Sequence, residues 1–151
     1  MSINFVQGQV AVSDPSPTGP NVTSNIKEPI VKVVKLTSAN FGTSAVNTLV
    51  AVLPADSTIL HIHKVVKTQL AGGSISAATV NIGSASAGTQ FASAYSVFDA
   101  AGVNALVTPV TGTVQNYGLP NGFDIPIWVG GTATTGAPTS GEIYLIITYV
   151  R

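Results

Sequence analysis

A chain of 151 residues can fold as one domain on its own core, and the absence of cysteine excludes disulfides and thiolate metal centres. Only 8% of its residues are charged, where about 25% is usual. Five lysines and one arginine balance six acidic residues and are scattered along the chain, which excludes a basic stripe for nucleic acid.

A membrane partner finds no support either. The start, MSINFVQGQVAV, lacks the basic segment and apolar core of a signal peptide, and the apolar run IYLIITYV near the end is far shorter than the roughly 20 residues of a spanning helix. A surface so poor in charge points to a protein covered by neighbouring protein, because interface cores are depleted of charge. The plainer alternative is a compact β domain of low-charge composition. The segment from Thr79 to Val103 poses the choice most sharply, since Asp99 is its one charged residue.

Short β-branched runs divided by Gly, Pro, Asn and Ser mark many short strands and an all-β fold. Phe5–Val12 is the first candidate strand. Ser13–Asn25 is a connector stiffened by Pro15, Pro17 and Pro20. Residues 1–29 therefore read as an N-terminal arm with its connector, and 30–151 as the folded domain. In the arm, Phe5, Val6, Val10 and Val12 are the candidate inter-subunit contacts, with the three prolines fixing its path. The competing reading is a strand of the same domain reached through a long loop, or a disordered tail.

Ile30–Thr37 and Val46–Leu53 follow as strands. Ser57–Leu70 is one long strand or a bent pair. Ala78–Ile82 alternates, with Ala78, Val80 and Ile82 on one face. Gln90–Phe98 reads equally as a strand or a short helical turn, and Ala105–Val110 as a strand. Ile125–Val129 puts Ile125, Ile127 and Val129 on one face, and Pro126, which cannot donate to a ladder, argues for an edge position. Val129–Gly141 reads as a flexible loop. Glu142–Val150 closes the chain with Ile143, Leu145, Ile147 and Tyr149 together. Eight strands after the connector indicate an antiparallel β-sandwich, jelly-roll-like rather than immunoglobulin-like.

Few constellations carry chemistry. His61 and His63 stand two apart on a strand and share a face, which suits metal binding, but no third ligand lies at a telling spacing. The ordinary reading is a half-exposed pair beside Lys64 and Lys67. No G-x-S-x-G occurs; GGSIS at Gly72–Ser76 lacks the last glycine. The carboxylates Asp14, Glu28, Asp56, Asp99, Asp124 and Glu142 are too dispersed to nominate a glycosidase pair, and Asp14 and Asp56 suit turns. VGGTATTGAPTSG lacks the lysine of a phosphate loop. Trp128, Tyr95, Tyr117 and Phe123 form either a sugar-stacking platform or ordinary core and interface packing. No catalytic residue, cofactor or metal is assigned.

The run VNIGSASAGTQFASAYSVFDAAGV, with the terminus GTATTGAPTSGEIYLIITYV, resembles the cement or decoration proteins of tailed-bacteriophage capsids. The shared features are a V-x-I-G strand at Val80–Gly83, small residues with aromatics at Gln90–Phe98, a D-A-A-G turn at Asp99–Gly102 and a G-x-I-x-L-I-I-x-Y strand within Gly141–Tyr149. The resemblance implies a non-enzymatic β-sandwich protein, made in the host bacterial cytoplasm and seated on the virion exterior. Its implied partners are the major capsid protein, whose adjacent subunits it clamps, and further copies of itself as a homotrimer. The alternative is a tail or fibre module that binds a host-surface glycan.

Overall fold

The computed structural model describes residues 4–6, 9–11, 28–107 and 123–151. Near the start, β1 (Asn4–Val6) pairs antiparallel with β2 (Gln9–Ala11), Phe5 opposite Val10. The expected single strand Phe5–Val12 is thus two short ones.

Among the described residues, eight further strands build two four-stranded sheets. In chain order they are β3 (Ile30–Thr37), β4 (Val46–Leu53), β5 (Thr58–Ala71), β6 (Ala77–Gly83), β7 (Ala92–Ser96), β8 (Asn104–Leu106), β9 (Ile125–Thr134) and β10 (Ser140–Val150). The first sheet has the order β3-β10-β5-β8 and the second β4-β9-β6-β7, with antiparallel neighbours throughout. Successive strands cross repeatedly between the sheets, so the β-sandwich has the interleaved order of a jelly roll. The expected fold class holds.

Period-two alternation explains the core. Val34, Leu36, Ile62, Val66, Ile143, Leu145 and Ile147 point inward from the first sheet. Leu53, Val80, Ile82, Ile125, Ile127 and Val129 meet them from the second. Each such aliphatic side chain stabilises the fold by about 1.5–3 kcal/mol relative to leaving it exposed. The inward faces expected for β6, β9 and β10 are those observed.

Five expectations are refined or corrected. Ser57–Leu70 resolves into the single long strand β5. Gln90–Phe98 resolves as strand, within which β7 spans Ala92–Ser96. Pro126 does not mark an edge: β9 lies between β4 and β6. Its last rung with β6 is Gly83 opposite Trp128, so Pro126 sits at the strand entry, beyond β6, where no rung with that strand is lost.

The supposed flexible loop Val129–Gly141 is largely strand, since β9 continues to Thr134. Gly131 makes the continuation possible. A Cβ there would stand 2.0 Å from the Asn40 carbonyl oxygen, at the 3-10 turn Ser38–Asn40 that crosses β9. That crossing is fastened by the Ala133 N–H, which donates to the Gly42 carbonyl at 2.7 Å. Of Ala105–Val110, β8 takes Asn104–Leu106, and residues 108–110 lie outside the described residues.

Candidate interaction faces

The outer face of the first sheet is apolar where an exposed sheet is usually polar. One rung runs Val33, Ile146, His63, Leu106 across its four strands, and the next places Val31 and His61 on either side of Thr148. Val31, Val33 and Leu106 keep 56%, 54% and 52% of their surface exposed. Leu60 adds to this patch because β5 bulges there: Ile59 faces Tyr149 and His61 faces Thr148, leaving Leu60 between the rungs.

Charge is gathered at one end of that face. Glu142 accepts from Lys35 at 2.8 Å and from Lys67 at 3.1 Å, and the Tyr144 hydroxyl donates to it as well. Lys67 also lies over the Tyr144 ring, 5.9 Å from its centre. The Lys35 hydrogen bond, followed by those from Tyr144 and Lys67, holds the Glu142 carboxyl down to about 2. The same carboxylate raises the pKa of Lys67.

His61 and His63 do share this outer face, their rings edge to face with centroids 5.0 Å apart. Asn104 Oδ1 lies 3.4 Å from His63 Nδ1. Among the described residues no group of three or more His, Asp or Glu side chains converges as a metal site would require.

The outer face of the second sheet differs in kind. β4, β6, β7 and β9 contain no Asp, Glu, Lys, Arg or His. Leu49 and Val52 are about half exposed on β4, in register with Trp128 and Pro126 of β9. Trp128 is half-buried on this outer side and takes no part in the core. Asn81 turns its side-chain oxygen to the Ala94 N–H at 2.7 Å.

Among the described residues, Trp128, Tyr95 and Phe123 sit in different surroundings. Tyr95 pairs with Val80, packs against the core and donates its hydroxyl to the Leu106 carbonyl at 2.9 Å. Phe123 lies just before β9 and is 75% exposed; Tyr117 is outside the described residues.

Between the sheets, sequence reasoning missed a buried charge. Lys64, expected beside the histidines, points to the opposite face and is only 3% exposed. Its ammonium pairs with the Asp99 carboxylate, donates to the Ser96 carbonyl at 2.9 Å and lies 4.9 Å from the centre of the Tyr95 ring. This clasp ties β5 to the chain around β7 and supplies a partner for the one charge of Thr79–Val103. The alternation Ile62, Lys64, Val66 was the signal: a lysine in phase with two core residues.

The other polar residues have local roles. Asp124 accepts from the Ala55 N–H at 3.0 Å. Asp56 occupies a turn at φ 64°, closed by the Ser57 N–H and hydroxyl on the Pro54 carbonyl at 3.2 and 2.6 Å. Ser76 of GGSIS shares a hydrogen bond with the Thr135 hydroxyl. Of the arm residues, Phe5, Val6 and Val10 fall on β1 and β2; Val12, Pro15, Pro17 and Pro20 lie outside the described residues.

No protein-family model matches the chain, and no curated protein does. Solved structures do share its fold. A chain of the cyanophage Pam1 capsid asymmetric unit aligns with a TM-score of 0.57 at 18% identity, over 82% of this chain and 85% of that one. A chain from the capsid of Ralstonia phage GP4 aligns with a TM-score of 0.53 at 17% identity, over 84% of this chain and 87% of the other.

Proposed function

We propose that this chain is a non-enzymatic structural protein of a bacteriophage head. Its role would be that of a cement protein on the outside of the shell, clamping adjacent major capsid protein subunits. The observation that carries the reading is the jelly roll shared, over more than four-fifths of the chain, with chains from two phage capsid structures. The surface chemistry supports it. Both outer faces offer apolar side chains, and the strands of the second sheet carry no charge, which lowers the desolvation penalty of permanent contact. A clamp seated as a trimer on several shell subunits has to break several contacts at once, so modest contacts sum. In this reading residues 1–29 reach a neighbouring subunit, with Phe5, Val6, Val10 and Val12 as contacts and Pro15, Pro17 and Pro20 directing the segment.

The test is co-sedimentation of the full chain, and of a form lacking residues 1–25, with purified expanded shells. The full chain is expected to travel with the shells; the truncated form is expected to fold, by circular dichroism, and to bind much more weakly. Absence of any binding by the full chain would sink the shell assignment, and equal binding by both would sink the arm. A second reading, a tail or fibre module that stacks host glycan, has one observation in its favour: Trp128 lies on the outer surface rather than in the core. Saccharide quenching of Trp128 fluorescence together with failure to bind shells is the result that would prefer it.

A further inference from the structure

The two sheets divide their charge unequally. Every Lys, His and Glu of the sandwich strands lies on β3, β5 or β10 of the first sheet, and the second sheet has none. We propose that the outer face of the second sheet is the seam against a second copy of this chain.

Three observations select that face and that occupant. Copies meeting through the first sheet would have to cover Lys35, Lys67 and Glu142, whereas the second sheet presents no charge to desolvate. One polar side chain of that face, Asn81, already gives its oxygen to the Ala94 N–H, so covering it leaves that acceptor satisfied. The area is sufficient. Four strands of 8, 10, 7 and 5 residues, spaced about 4.8 Å apart at about 3.3 Å per residue, present roughly 480 Å² in projection. Side-chain relief brings this near the roughly 600–800 Å² per partner of a stable interface. Leu49, Val52, Pro126 and Trp128 supply the apolar anchor, with an aromatic of the kind that dominates such contacts.

The seam does not depend on shell binding, so the two readings fail separately. Sedimentation velocity of the purified full chain, over a range of concentrations, is expected to show an assembly larger than the monomer. Leu49→Lys and Val52→Lys, both at half-exposed edge-strand positions, are each expected to weaken self-association by about tenfold or more while leaving the thermal melt of the fold in place. Val33→Lys, on the outer face of the first sheet, is expected to leave the assembly intact. A wild-type chain that stays monomeric throughout, or Leu49 and Val52 variants that keep the wild-type mass, overturns the seam. So does dissociation caused by Val33→Lys. Co-sedimentation with shells completes the test: a monomeric variant that still binds shells supports the seam, and a variant that stays assembled but loses the shells assigns the face to the shell and refutes the proposal.

Discussion

Removing the carboxylate of Asp99 is expected to harm the fold more than removing the ammonium it serves. In Asp99→Ala, Lys64 keeps the Ser96 carbonyl and the Tyr95 ring but loses its counter-charge in a site where it is only 3% exposed. Breaking a buried pair from one side costs about 3–5 kcal/mol. The Asp99 side chain is 32% exposed, so water screens part of the attraction and the expected loss is about 2–4 kcal/mol. Lys64→Met keeps most of the stem volume and removes the desolvated charge. Asp99 can then turn to water, and the main loss is the donor to Ser96, about 1 kcal/mol. The double variant Lys64→Met with Asp99→Ala is expected to be more stable than Asp99→Ala alone. For a chain of this size the Asp99→Ala loss lowers the melting temperature by about 5–12 °C. Urea unfolding followed by circular dichroism reads all three variants. A Lys64→Met variant less stable than Asp99→Ala, or an Asp99→Ala variant as stable as wild type, would refute the reasoning.

Two further outcomes are expected besides those for the shell and the seam. Gly131→Val forces a side chain into the Asn40 carbonyl and is expected to cost about 3 kcal/mol; unchanged urea stability would show that the 3-10 turn is not fixed against β9. Glu142 has its folded-state pKa lowered from 4.5 to about 2, so its contribution is fully present above about pH 4.5 and is lost as the pH falls through about 2. Glu142→Gln is expected to flatten that part of the stability profile relative to wild type, and identical profiles below pH 4.5 would contradict the Lys35–Glu142–Lys67 arrangement.

Strand existence was legible in the sequence wherever alternation was clean. Ala78–Ile82, Ile125–Val129 and Ile143–Tyr149 each carry a two-residue hydrophobic period, and each buries the face it announces. Position within a sheet was not legible in the same way. Pro126 suggested an edge because one missing donor was weighed without knowing where β6 ends. The Gly- and Thr-rich stretch after Val129 resembled a loop because Gly131 weakens strand propensity, while its use depends on the approach of Asn40, far away in sequence. The two outer faces were hidden for a related reason: Val33, Ile146, His63 and Leu106 come from four separate strands, and only pairing makes them one rung. Lys64 was visible in principle, in phase with Ile62 and Val66, but its partner stands 35 residues away.

Among the described residues, β3 ends the first sheet without a covering element, and its sequence IVKVVKLT is a strong strand former. An identical strand approaching it antiparallel, with the register centred between Val33 and Val34, would set Lys32 opposite Lys35 at both ends of the new ladder. The two lysines are three residues apart and so stand on opposite faces, which leaves neither side of that ladder free of ammonium–ammonium repulsion. Growth from this margin in that register is thereby discouraged by two side chains alone, even though the valines of the strand invite extension.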